Sequence, residues 1–168
     1  MLNVENPILV ARGIKRCFPM PGGEPFYALK GVDIAAPRGR LTILKGKSGS
    51  GKTTLMNILG ALDQPTEGTV EFDGREITSM SEKELTRLRR FEIGFVFQSV
   101  ALIPIMTALE NVEFVLRLGR YPGDRRARAI ECLEMVGLAE RESHMPAQMS
   151  GGEQQRVAIA RAIAHQPK

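Results

Sequence analysis

Two cysteines in 168 residues, Cys17 and Cys132, stand in no metal-ligand spacing. That argues against a disulfide-stapled scaffold or a thiolate metal site. The pair reads as reduced thiols of a cytoplasmic protein, with Cys132 filling a helix face. No apolar run approaches the ~18 residues that announce a membrane span. Residues 1–6 do not resemble a secretory leader, because Glu5 and Pro7 interrupt them and no basic stretch precedes an apolar one. Excess charge is also scarce. The 23 basic and 19 acidic residues leave a net +4, which suits a polyanionic ligand or a membrane surface but is too weak and scattered to indicate a nucleic-acid partner. Internal repeats and low-complexity tracts are missing too. What remains is 43% hydrophobic and 25% charged residues, an ordinary globular composition, and residues 1–168 are expected to form a single domain.

Against that background, Gly46-Lys47-Ser48-Gly49-Ser50-Gly51-Lys52-Thr53 spells G-x-x-x-x-G-K-[ST]. It follows an apolar run expected to be a strand, Leu41-Thr42-Ile43-Leu44, and precedes a helix-like stretch from Thr54 to Leu62. Strand, glycine-rich turn and helix are the context of a P-loop. A triphosphate needs many donors at once. Glycines let backbone N–H groups crowd inward where a Cβ would block them, and the helix N-terminus adds partial positive charge. Lys52 is placed to reach the β- and γ-phosphates, and the Thr53 hydroxyl to ligate Mg²⁺. Gly46, Lys47, Ser48, Gly49, Ser50, Gly51 and Thr54 complete the expected cradle. The bland alternative is a flexible Gly/Ser turn, which the correct flanks disfavour.

Around this motif, Ile8–Ile14 and Ala28–Ala35 read as strands, with Pro37-Arg38-Gly39 as a turn before the P-loop strand. Asp63 to Gly68 is turn chemistry. Thr69–Phe72 alternates as a half-buried strand, and Asp73-Gly74 closes a hairpin-like turn. Ser81 and Glu84 form a capping-box pattern for a basic helix to about Arg90. Ile93–Phe97 is a continuous apolar run, expected to be a strand buried on both faces. Helices are predicted from Thr107 to about Leu118, from Asp124 to about Val136 with Gly137 as the stop, and from Ser150 to about His165.

The last helix opens on Met149-Ser150-Gly151-Gly152-Glu153-Gln154-Gln155-Arg156. Ser150 and Glu153 fit a capping box, and two glycines keep the first turn bare, which suits an anion. A P-loop, then Phe95-Val96-Phe97-Gln98, then this stretch continued by Val157-Ala158-Ile159-Ala160-Arg161-Ala162, resembles the ATP-binding cassette family over nearly the whole chain. Gly46–Thr53 resembles its Walker A motif, Gln98 its Q-loop glutamine, and Ser150, Gly151, Gly152 and Glu153 its signature. Met56-Asn57-Ile58-Leu59-Gly60, Leu62 to Gly68 and Thr107 to Val112 resemble the lipoprotein-release, macrolide-export and cell-division branch.

The resemblance implies an α/β fold, with a P-loop NTPase core sheet, an antiparallel β subdomain and a helical subdomain from about 99 to 148. It implies ATP and Mg²⁺ as ligands, with Thr53 and Gln98 at the metal and Lys52 and Gln98 as catalytic contributors. It also implies a head-to-tail homodimer in which Ser150, Gly151 and Gly152 meet the γ-phosphate held by the other copy. Transmembrane permease subunits are the implied partners, which places the protein peripherally on the cytoplasmic face of the inner membrane. Phe18, 34 positions before Lys52, matches the aromatic that stacks on adenine, with Phe26 and Tyr27 as rivals. Three departures are small: Met149 stands for the usual leucine, Glu153 for the commonest glutamine, and Lys47 adds a cation inside the loop.

A larger departure is the lack of any run of four apolar residues ending in Asp-Glu, the family's metal-orienting and water-activating pair. The expectation is an amino-terminal portion of a longer cassette, deficient in hydrolysis and marginally folded, with the P-loop strand left unpaired. His144 and His165 follow no strand and are expected to be surface residues without a catalytic role. Arg87 to Arg90 and Arg125 to Arg128 read as solvated helix faces. Val100 to Met106 is apolar enough for either core packing or docking of a membrane subunit. Three classes of function stay open: the energy-coupling subunit of a transporter, a cassette ATPase acting on DNA or ribosomes, and a module that binds ATP without hydrolysis. The second is disfavoured because no heptad run lies between Lys52 and Ser150.

Overall fold

Alternating apolar residues in the first half of the chain zip into one antiparallel sheet. In the computed structural model, which describes residues 4–168, these strands are β1 (Pro7–Phe18), β2 (Phe26–Pro37), β3 (Glu67–Phe72) and β4 (Arg75–Glu76). Their order in the sheet is β2-β1-β3-β4, with every neighbouring pair antiparallel. β1 sits between two partners and buries Val10, Ala11 and Ile14. Both long strands extend beyond the expected bounds because their pairing, interrupted by register shifts, continues to the tip, where Phe18 lies opposite Phe26. Asp73 and Gly74, both in the left-handed region at φ 50° and 72°, form the two-residue turn between β3 and β4. Helix α1 (Lys52–Leu59) lays Leu55, Ile58 and Leu59 inward at the i, i+3, i+4 spacing of a buried helix stripe. These residues, with Leu29, Val70 and Phe72, are part of the first compact unit, which ends at Leu85.

The second unit runs from Thr86 to Lys168. Helix α2 (Glu82–Phe91) bridges the division in sequence and is opened by the expected pair, Ser81 N–H donating to Glu84 Oε2 at 2.8 Å. Helices α3 (Ala108–Leu118), α4 (Arg125–Met135) and α5 (Gly151–Ile163) pack together. Their core contains Leu109, Val112, Leu116, Leu133, Val157 and Ala160, together with Cys132. Each helix start is satisfied by a side chain: Thr107 accepts from Glu110 N–H, Asp124 from Arg126 and Ala127, and Ser150 from Glu153. Two of these caps, at Thr107 and Ser150, are reciprocal boxes.

Two expectations need correction. Leu41–Leu44 and Ile93–Phe97 are not strands. Leu41 is 87% and Ile43 63% exposed, and Val96 and Phe97 are exposed as well. Apolar, β-branched composition makes a strand only when a ladder partner satisfies its N–H and C=O groups. Among the described residues, neither segment has such a partner. The α/β class stands, but among the described residues the ladders belong to the antiparallel sheet alone. The two histidines are also less exposed than expected. Both are half-buried, and His144 Nδ1 and His165 Nε2 are shielded with no hydrogen-bond partner among the described residues.

One buried polar residue organises the second unit. Asn111 is 0% exposed on the apolar stripe of α3. Its Oδ1 accepts from Ile103 N–H at 2.8 Å. Its Nδ2 donates to the carbonyls of Ile103, Met106 and Thr107 at 3.2, 3.0 and 3.0 Å. The amide is therefore matched on both ends to the loop that leads into α3. Asn111→Ala is expected to cost about 2–4 kcal/mol, because it strands a buried N–H and several carbonyls. Asn111→Asp is expected to cost at least as much, since a carboxylate would face three carbonyl oxygens. The shift in urea midpoint at unchanged slope measures both, and a change below about 0.5 kcal/mol would show that the network contributes little.

Candidate functional site

Gly46 to Ser50 are exposed in a loop that turns through the half-buried Gly51 directly into α1. Gly49 and Gly51 hold φ of 77° and 84°, a region that side-chain-bearing residues rarely enter. Gly51 has a second constraint. A Cβ there would lie 2.5 Å from the Ala28 carbonyl oxygen and 2.9 Å from Leu29 Cδ2. Only glycine lets α1 start this close to β2. The Leu55 amide donates to the Gly51 carbonyl at 2.8 Å, so the helix ladder begins at the last glycine of the motif.

Lys52 folds back over the loop. Its Nζ donates to the carbonyls of Gly46 at 2.8 Å and Lys47 at 2.7 Å, and lies 3.3 Å from Ser50 Oγ. The Ser50 amide donates back to the Lys47 carbonyl at 3.3 Å. The ammonium thus sits inside the curl of its own loop. No side chain caps α1, and its first turn carries no acidic residue. The start of α1 is the one helix N-terminus of the chain's described α1, α3, α4 and α5 left without a side-chain cap. It combines a fixed cation, an uncapped helix start and a loop without carboxylates, features whose charge and geometry suit an anion. Thr53, at the second position of α1, is exposed, and Thr54 is half-buried.

The second motif is built differently. Ser150 caps α5 by accepting from Glu153 N–H at 3.3 Å, and the Glu153 carboxylate accepts from Ser150 N–H at 2.8 Å. Arg141 Nε donates to the other carboxylate oxygen at 3.0 Å. Gln154 Nε2 donates to the carbonyls of Pro146 and Met149 at 2.9 and 3.1 Å, pinning the approach to the helix. Gly151 and Gly152 remain exposed, at the first two helical positions. The Ser150 amide, followed by the Ser150 hydroxyl and Arg141, holds the Glu153 carboxyl down to about 2.

Gln98 lies in an exposed turn after Ile93–Phe97, a segment in which the rings of Phe95 and Phe97 stack on each other at 5.8 Å. Phe18 ends β1 with the Arg16 guanidinium 4.8 Å from its ring centroid, and Phe26 and Tyr27 are exposed on the same hairpin. The Val100–Met106 stretch divides between its two readings. Leu102 packs on the helical core, and Ile105 is 82% exposed. Asn111 and Arg141 were assigned no role from sequence. The available signal for Asn111 was a polar residue on the stripe of Ala108, Leu109, Val112 and Leu116. Arg141 meets Glu153 across 12 positions, which no local pattern encodes.

The Glu153 interactions predict a specific titration. A folded value near 2 against an ordinary 4.5 means that the cap's contribution is complete above about pH 4.5 and is lost as pH falls through about 2. Carboxyl NMR of Glu153 is expected to show that depressed midpoint. Arg141→Ala should return it only partway, since the Ser150 amide remains. A midpoint at or above 4 in the parent chain would contradict the reciprocal cap.

Comparison with known proteins agrees with this arrangement. The ABC transporter family model matches residues 29–168. The uncharacterised ABC transporter ATP-binding protein MJ0796 of Methanocaldococcus jannaschii is 51% identical over 152 residues, covering 87% of this chain and 64% of that protein. The macrolide export ATP-binding/permease protein MacB of Marinobacter nauticus is 50% identical over 94% of this chain, which spans 24% of MacB. The lipoprotein-releasing system ATP-binding protein LolD 2 of Caulobacter vibrioides is 45% identical over 98% of this chain and 72% of its own length. A dimeric MJ0796 structure in a post-hydrolysis state, bound to ADP and Pi, superposes with a TM-score of 0.87 at 47% identity, covering 95% of this chain and 70% of that one. With its phosphate-type loop, its Ser-Gly-Gly-Glu helix start and a family match over most of its length, the chain belongs to the ABC transporter family.

Proposed function

We propose that the chain is the ATP-binding part of a transporter, and that Gly46 to Thr54 hold the triphosphate. The carrying observation is the Lys52 ammonium bonded to two carbonyls of its own loop, beside the uncapped start of α1. A phosphate oxygen is a stronger acceptor for that ammonium than a carbonyl, because the bond is then charge-assisted on both sides. The loop amides, fixed by the left-handed Gly49 and Gly51, would take the remaining oxygens. Among the described residues, no three His, Cys, Asp or Glu side chains converge as a metal cluster. As the family resemblance implies, Mg²⁺ in this reading would be held by nucleotide phosphates, the Thr53 hydroxyl and the Gln98 carboxamide. When bound, that ion neutralises charge on the phosphates.

Ser150, Gly151 and Gly152 serve a second copy in this proposal. Their bare, capped helix start meets the γ-phosphate bound by the other chain of a head-to-tail dimer. The dimeric form of the MJ0796 structures supports that assembly. The Phe18 ring is the proposed adenine platform. Ile105, presented by a loop that Asn111 fixes, is the proposed contact for a transmembrane permease subunit, which would hold the protein peripherally at the cytoplasmic face. Among the described residues, no helix is long and apolar enough to cross a membrane. The coupled process, whether export, lipoprotein release or mechanical transmission, belongs to those partner subunits. These 168 residues contain no apolar run ending in Asp-Glu, so by themselves they are proposed to bind ATP with negligible turnover.

Calorimetric titration with Mg-ATP tests the reading. Saturable heat is expected, and Lys52→Ala should weaken binding roughly 10- to 150-fold, the range for losing a hydrogen bond to a charged group. No heat from the parent, or equal heat from Lys52→Ala, would overturn it. Phosphate release by the same chain is expected at background. Turnover above background that Lys52→Ala abolishes would overturn the hydrolysis-deficient part alone.

A further inference from the structure

We infer that Arg161 is a positioning residue that fastens the Gln98 loop to the helix beginning at Ser150. The inference rests on the proposed role of Gln98 at the nucleotide's magnesium ion. Arg161 is half-buried on α5, and burial lowers its pKa. Its Nη1 donates to the Ala101 carbonyl at 2.6 Å and its Nη2 to the Val100 carbonyl at 3.1 Å. Among the described residues, those two carbonyls are its polar partners, and no carboxylate pairs with it. A desolvated guanidinium committed to main-chain oxygens needs a reason.

The reason lies in the backbone it holds. Val100 and Ala101 have φ of 25° and 49°. The left-handed region is a rare place for any side-chain-bearing residue and an outlier for a β-branched one. Two charge-assisted bonds from one planar fork hold both carbonyls and so fix the chain reversal just after Gln98. The other end of the loop is also tied to the end of α5 and the residues beyond it. Lys168 N–H donates to the Glu92 carbonyl at 3.1 Å, and Lys168 Nζ pairs with Glu92 Oε2 at 2.9 Å. Gly94 lies so near that a Cβ would come within 2.3 Å of the Ala162 carbonyl oxygen. Between these anchors, Gln98 projects from an exposed turn. Ten residue steps along α5, about 15 Å of rise, separate Arg161 from Gly151. The glutamine loop and the Ser150–Glu153 start are thus two ends of one rigid element.

The experiment is a double-mutant cycle on the Mg²⁺ dependence of ATP binding by the full chain, using Gln98→Ala, Arg161→Ala and the double variant. Affinity for ATP in EDTA is expected to stay within about twofold of the parent in all three, because Lys52 and the loop amides are untouched. Each single change is expected to weaken the Mg²⁺-dependent part about tenfold. The double change should be no worse than either single one, the mark of residues acting as a unit. Additive losses would overturn the role of Arg161 while leaving Gln98 as a metal contact. An unaffected Gln98→Ala would overturn the Gln98 reading and the positioning role with it. Arg161→Lys keeps the charge but supplies one bond for two; full parental behaviour of this variant would overturn the fork. Hydrogen exchange keeps the test valid if Arg161→Ala is poorly folded. In Arg161→Lys, amides 99–102 are expected to exchange faster while α3 and α4 stay protected, and unchanged exchange at 99–102 would overturn the clamp.

Discussion

The Lys52 ammonium curled over the carbonyls of Gly46 and Lys47 is the interaction on which the shape of the glycine-rich loop depends. It keeps an eight-residue, glycine-rich stretch in a defined curl where entropy would otherwise scatter it. The cost is modest because the acceptors are the loop's own carbonyls and no outside group is needed. Gly51 completes the arrangement, since the contact with Ala28 and Leu29 seats α1 against β2 and aims its uncapped start at the loop. A cation, a helix terminus and a left-handed glycine are each common. Their convergence within eight residues makes the site.

The two motifs solve opposite problems with the same element. At α1 the helix start is left bare of side-chain oxygen, so its amides keep their capacity for an external anion. At α5 the start is closed by the Ser150–Glu153 box and braced by Arg141. There the first two positions are glycines, and what remains exposed is backbone on a rigidly oriented turn. Capping sets the direction of α5, and the glycines decide what can approach it.

Secondary structure was largely legible where the signal was local. The helix starts at Thr107, Asp124 and Ser150 and the Asp73-Gly74 turn follow from side chains within four positions of one another. Leu41–Leu44 and Ile93–Phe97 carry an equally strong apolar signal and still form no ladder, because a strand needs a partner that local sequence cannot guarantee. Asn111 escaped notice for a related reason. On a helix stripe it looks like a defect, and only the loop folded over it shows that each of its polar ends is matched.

Sequence alone determined the chemistry available: one ammonium after a run of glycines, a threonine beside it, a lone glutamine and a capped Ser-Gly-Gly-Glu. Spacing and residue type suffice for this, because backbone freedom, charge and capping act over a few residues. Tertiary structure decided where those groups are held. It set the Ala28 carbonyl against Gly51 across 23 positions, joined Arg141 to Glu153, and brought the Arg161 guanidinium to Val100 and Ala101. Those contacts join residues far apart in the chain, and packing in three dimensions is the only thing that selects them.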